Sequence, residues 1–187
     1  MLGVIDVVTL QPIQKMRIKL EEEAIRKVVP VFDELETMRI PVKAEVVKNI
    51  FKKKHAADSL IIFKAINKGE FVGAAIETFS DEGFSGRIRL MAGFLPDGTI
   101  YKIEVLEHSE TPGLGDKMEV GKGKFPDQFL GKNPRDFKLI VQQDDGEVDA
   151  ITAATITSRA YCDAVDRAYN VFKKVFIDNN EGGKSDE

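Results

Sequence analysis

Four hydroxyl side chains crowd one short stretch, Thr152-Ala153-Ala154-Thr155-Ile156-Thr157-Ser158, with Asp149 three residues ahead of the first. They fall where an extended run ending near Ile151 gives way to the last helix. The first turn of a helix carries N–H groups without intrahelical acceptors and a partial positive charge, so it attracts phosphate. The same residues also make an ordinary helix cap, and taken alone that plainer reading leads. A second stretch, His108-Ser109-Glu110-Thr111-Pro112-Gly113-Leu114-Gly115, leaves a strand and enters a Gly/Pro loop. Glycines there let backbone N–H groups come close to a flat ligand. On its own this stretch is equally well a long connecting loop.

Other glycine-rich spots carry less. Gly113-Leu114-Gly115 opens like a dinucleotide fingerprint, but Lys117-Met118 stand where the third glycine belongs, and no βαβ unit surrounds it. Gly121-Lys122-Gly123-Lys124 lacks the spacing and the Ser/Thr of a P-loop. Asp144-Asp145-Gly146 is too short for a calcium loop and reads as a turn.

Taken together, the two stretches resemble the FMN-binding domain family. Within it they are similar to the G subunit of Rnf-type electron-transport complexes and the C subunit of the sodium-translocating NADH:quinone reductase. Glu110 to Gly115 match the family's Glu-Thr-Pro-Gly-Leu-Gly loop without change. Asp149, Thr152, Ala154, Thr155, Thr157 and Ser158 match its Asp-x-x-(Ser/Thr)-Gly-Ala-Thr motif and the hydroxyls that follow. The turn Gly83-Phe84-Ser85-Gly86 and the segment with Phe125 and Phe129-Leu130-Gly131-Lys132 also resemble the family, so the likeness runs from about residue 60 to 172. Two positions depart from it: Ala153 replaces the usual Gly and Phe84 the usual Tyr. If that Gly sits at positive φ, Ala costs about 1 kcal/mol or more.

The resemblance implies FMN as cofactor, esterified through its phosphate to Thr155 by a flavin transferase that cleaves FAD. It implies that amides at the helix start, with Thr157 and Ser158, hold the phosphate oxygens, with Thr152 and Ala154 also among the cofactor-binding residues. Lys117 reads as a further positive charge or as a solvated lysine. Glu110, Thr111, Pro112, Gly113, Leu114 and Gly115 are expected around the isoalloxazine ring, with Ser85 and Gly86 as another wall. Asp149 is expected to shape the loop or to be read by the transferase, and His108 is structural or redox-linked. The implied role is an electron-transfer subunit of a membrane-bound, ion-translocating complex, partnered by membrane subunits on the extracytoplasmic side of the cell membrane. A donor domain of an extracytoplasmic reductase and a flavin-binding regulatory module are the alternatives. With no acid/base pair beside the motifs, turnover of a small substrate by this chain alone is not expected.

Composition agrees. The 187 residues suit one domain, or one domain with a small subdomain, and 43% hydrophobic content supplies a core. A net charge of −4 argues against nucleic acid, which needs clustered Lys and Arg. The basic run Lys52-Lys53-Lys54-His55 reads as a solvated face. The single Cys162 excludes an intrachain disulfide and sits among apolar helix residues, and two distant histidines give no metal constellation. No apolar run reaches the roughly 18–20 residues of a membrane span. The apolar start Leu2 to Val8 and the family pattern lead to the expectation of a membrane anchor ahead of the first helix.

The elements that must position the motifs follow from periodicity. Residues 12–28 read as an amphipathic helix stopped by Pro30, and 31–57 stay open between strand and helix, with Val42, Ala44, Val46 and Val47 fitting either. Leu60–Ile66 and Phe71–Phe79 flank the turn Asn67-Lys68-Gly69-Glu70, and Arg87–Phe94 and Thr99–Glu107 flank Pro96-Asp97-Gly98. Leu139-Ile140-Val141 reads as a short strand, and the last helix as about Thr155–Phe176. The expected fold is α+β: an antiparallel sheet from 59–107 and 138–151, packed against N-terminal and C-terminal helices. The expected division is an N-terminal helical segment over 1–58, an FMN-binding domain over 59–178 and a frayed tail over 179–187.

Overall fold

The computed structural model of the chain describes residues 19–41 and 59–178. A helix over 19–28, α1, leads into the strand β1 (Glu34–Pro41). Four more strands follow: β2 (Ser59–Asn67), β3 (Glu70–Gly83), β4 (Gly86–Phe94) and β5 (Ile100–Glu107). They form one five-stranded sheet in the order β1-β2-β3-β4-β5, with every neighbouring pair antiparallel. A loop-rich stretch with short 3₁₀ turns then leads to the helix α2 (Thr155–Phe172), which runs on into a π-type turn over Lys173–Asp178. The α+β arrangement with helices at both ends is the one expected.

Period-2 alternation sends neighbouring strand residues to opposite faces. Ala74, Ile76, Leu90 and Ala92 face α2, where Ala160, Ala164, Val165, Ala168 and Phe172 cover them. Ala75 and Met91, one residue out of phase, face α1 through Ala24, Ile25 and Val28. The central strands β3 and β4 are thus buried on both sides. Gly93 marks the closest approach of α1, since a Cβ there would lie 1.6 Å from Val28 O. Arg89 fastens the same face, reaching Glu77, Glu107 (2.8 Å) and Glu21 (3.5 Å).

Two expectations are corrected. Residues 138–151 do not join the sheet: Leu139–Val141 forms no strand, and Val141 and Val148 make one isolated parallel bridge. The cause is the turn at Asp144-Asp145-Gly146. Asp145 is left-handed (φ 61), and Gly146 N–H bonds back to Val141 O (3.1 Å). The segment therefore pairs with itself, while Leu139, Val141, Val148 and Ile151 plug into the α2 side of the core. In the last helix, α-type bonding ends at Phe172 rather than at Phe176. Within the segment left open, 34–41 is strand; Val42, Ala44, Val46 and Val47 lie outside the described residues, as do 12–18 of the first helix and the tail from 179. Among the described residues no helix is long and apolar enough to cross a membrane.

Candidate functional site

The β3–β4 turn, the 108–115 loop and the start of α2 converge at one end of the sheet. They enclose a cavity of about 350 Å³ lined by Phe84 from the turn, Glu110, Thr111, Leu114 and Gly115 from the loop, and residues 153–157 from the helix start. Phe84, Leu114 and Ile156 keep 68%, 41% and 47% of their surface exposed and form an apolar rim to the cavity.

The helix start is built in an unusual way. Ala153 is left-handed (φ 62), so the chain turns sharply there. Ala154 is the N-cap and offers no side-chain hydrogen bond. The first helical bond runs from Ser158 N–H to Ala154 O (3.0 Å). The amides of Thr155, Ile156 and Thr157 therefore have no intrahelical acceptor, and they lie beside the cavity.

The hydroxyls separate by environment. Ser158 is fully buried: its Oγ donates to Ala154 O (3.0 Å) and accepts from Ile151 N–H (2.9 Å). Thr157 is 1% exposed and donates to Glu110 Oε2 (2.5 Å). Thr152 is exposed and faces a neighbouring depression of about 320 Å³, which Lys117, Lys124 and Asp149 also line. Thr155 alone of the four is half-buried, lines the cavity and makes no side-chain hydrogen bond among the described residues. Of the other expected residues, Pro112, Gly113 (φ 79) and Ser85 are exposed turn positions, and Gly86 (φ 114) closes the β3–β4 turn.

Glu110 is 5% exposed and accepts Ser85 N–H at Oε1 (2.9 Å) as well as the Thr157 hydroxyl at Oε2. Its own N–H donates to His108 Nδ1 (3.0 Å). That bond leaves the imidazole proton on Nε2, which donates to Glu119 Oε1 (2.7 Å). Partial burial pushes the Glu119 carboxyl up, but hydrogen bonds from Lys122 and His108 outweigh it and hold the group below the usual carboxylate range. His108 thus links the 108–115 loop to Glu119 through its two ring nitrogens.

Sequence reasoning missed Gln128. Its side-chain amide accepts Asp149 N–H (2.8 Å) and donates to Asp149 O (3.0 Å) and Phe125 O (3.1 Å), clasping the backbone of the hydroxyl motif like a strand partner. Asp149 keeps its carboxylate exposed, so Gln128 does the shaping expected of that side chain. No spacing rule could have found a contact 21 residues away. A larger depression, about 490 Å³, lies between α2 and the 134–144 loop. The Arg159–Asp144 ion pair (2.6 Å) lines it, and none of the hydroxyl-motif or 108–115 residues does. Among the described residues no cluster of His, Cys, Asp and Glu could hold a metal ion.

Fold and site together define a domain of known type. The profile of the FMN-binding domain family matches residues 83–170, which contain all three segments around the cavity. The G subunit of the ion-translocating oxidoreductase complex from Shewanella oneidensis is 31% identical over 172 residues, covering 89% of this chain and 80% of that protein. Its counterpart from Aliivibrio fischeri strain ES114 is 41% identical over 130 residues. That match covers 66% of this chain and 62% of the relative, so the chain spans less than two thirds of that protein. The crystal structure of NqrC from Shewanella oneidensis superposes with a TM-score of 0.58 at 20% identity, over 81% of this chain and 86% of that one, a likeness of fold. The chain belongs to the FMN-binding domain family, in the branch that holds the G subunits of ion-translocating oxidoreductase complexes.

Proposed function

We propose that this chain is the FMN-carrying electron-transfer subunit of a membrane-bound, ion-translocating oxidoreductase complex, and that Thr155 bears the flavin as a phosphoester. The observation that carries the assignment is the difference among the four hydroxyls. Thr157 and Ser158 are buried and engaged, Thr152 faces away, and Thr155 is half-buried on the cavity wall without a hydrogen bond of its own.

The residues suit the group. A cavity of about 350 Å³ with apolar Phe84, Leu114 and Ile156 fits part of a flat aromatic ring system. The amides at the start of α2 suit the phosphate. In loading, Thr155 Oγ1 forms a bond to the FMN phosphorus of FAD, the pyrophosphate bond breaks, AMP leaves, and the hydroxyl proton passes to a base of the transferase. Bound FMN supplies electron-transfer chemistry, which the protein can only tune and gate. Phe84, Leu114 and Ile156 would hold the ring on its apolar side. With the Thr157 and Ser158 hydroxyls donating to Glu110 and to Ala154 O, the helix amides would be the groups left to hold the phosphate. Covalent attachment suits a domain on the extracytoplasmic side, where lost FMN is not replaced.

The test is Thr155→Ala in a host that has the flavin transferase. Covalent flavin fluorescence on a denaturing gel, and the matching gain in intact mass, should vanish. Thr155→Ser should keep part of it. Covalent flavin on Thr155→Ala would sink the assignment.

A further inference from the structure

Three walls of the cavity meet at one side chain. The carboxylate of Glu110 comes from the 108–115 loop, the amide it accepts comes from the β3–β4 turn at Ser85, and the hydroxyl it accepts comes from the first turn of α2 at Thr157. Loop and helix are 47 residues apart in sequence. The space is shaped for this contact. A Cβ on Gly115 would lie 2.7 Å from the Glu110 side chain, and one on Gly83 would lie 3.0 Å from Glu110 Oε1. Glu110 is also held from behind, by its N–H on His108 Nδ1 and by His108 Nε2 on Glu119.

The helix start needs such a hold. It lacks a side-chain cap at Ala154 and follows a left-handed Ala153. Helix ends without caps fray. We propose that Glu110 is a positioning residue for the attachment threonine: acting through Thr157, it fixes the rotation of the first turn of α2 and so the direction in which Thr155 Oγ1 meets an incoming phosphoryl group. This rests on Thr155 as the attachment residue. Glu110 need not touch the phosphoryl group. Its effect is on geometry, and small misplacements of a nucleophile are costly in rate.

The experiment uses the full chain, FAD and a flavin transferase, with single-turnover loading followed by covalent fluorescence. Thr157→Val keeps the shape of the side chain and removes the O–H. It should slow loading about tenfold or more, with the chain concentration at half-saturation little changed. Thr157→Ser should restore the rate. Glu110→Ala should be slow as well, and the double variant should be no slower than the slower single, because both changes break one contact. Circular dichroism checks folding, and if Glu110→Ala does not fold, Thr157→Val and Thr157→Ser decide. A second measurement needs no flavin: amide exchange in the apoprotein should quicken across Thr155–Ser158 in Thr157→Val and Glu110→Ala, and at Ser85 in Glu110→Ala. Loading of Thr157→Val at the wild-type rate, losses that multiply in the double variant, or unchanged exchange would each overturn the proposal. A wild-type chain that takes no flavin at Thr155 overturns the attachment assignment instead. Exchange then decides the Glu110 contact alone, supporting it if faster and refuting it if unchanged.

Discussion

The two ends of α2 are held by opposite means. Its first turn is held by polar contacts: Thr157 on Glu110, and Ser158 bridging Ala154 O and Ile151 N–H. Its last turns are held by rings. Phe172 is fully buried, with Phe94 at 5.2 Å and Phe176 at 5.1 Å between centroids, and Phe176 stacks on Phe71 at 5.0 Å. Apolar packing is strong, forgiving of small shifts and indifferent to direction. Hydrogen bonds add only about 1 kcal/mol net each, but they fix distance and angle. The ring end therefore carries stability, and the polar end carries the geometry that a reacting hydroxyl needs.

The largest break should come at the ring end. Phe172→Ala should cost about 3–5 kcal/mol, as aromatic truncations in cores do, read as a lower midpoint in urea unfolding. Cys162 gives a local readout on the same helix. Burial pushes its thiol up to about 12, so at pH 8 the native protein should resist alkylation. Phe172→Ala should make Cys162 reactive, whereas Thr157→Val should leave it protected. Equal reactivity in both variants would erase the contrast between the ends.

A smaller change should sharpen the polar end. Ala153 holds φ 62, which L residues adopt at a cost, so Ala153→Gly should stabilise the apoprotein by about 1 kcal/mol. Flavin loading should stay equal or rise. A lower melting temperature for Ala153→Gly would show that the turn is not strained.

The smallest effect should be in acid. The folded Glu119 carboxyl titrates below its ordinary value of 4.5, so its contribution is complete above about pH 4.5 and fades as pH falls through the lowered value. Glu119→Gln should flatten that part of the stability profile and lower the plateau above about pH 6 by the same small amount. An unaltered acid limb would mean that the Lys122 and His108 bonds add nothing.

The hairpins can be read from the sequence because each is a local event. Lys68-Gly69 and Asp97-Gly98 turn the chain whatever surrounds them, and the flanking residues alternate. Helix α2 is equally legible, from its stripe of Ala160, Ala164, Val165 and Ala168. Residues 138–151 mislead because a three-residue apolar run fits a strand and a core plug equally well, and only the left-handed Asp145 decides between them. At the site, the order of motifs brings the right segments together, but the division of labour among the hydroxyls does not show. Whether Thr157 faces phosphate or Glu110 depends on the rotation of a helix against a loop 47 residues away. Nothing local to either segment encodes that rotation.

The missing side chain of Gly93 has a mechanical consequence. Helix α1 bears on the backbone of β4 there, and β4 ends at Gly86, in the turn that walls the cavity. The two points lie roughly 23 Å apart along the strand, at about 3.3 Å per residue. Strand β4 is internal, with hydrogen-bonded neighbours on both sides. A pull on α1 along that strand would load both ladders in shear, all bonds together, instead of peeling an edge strand one bond at a time. The seat of the helix and the mouth of the cavity thus sit on one strand that is hydrogen-bonded along both edges.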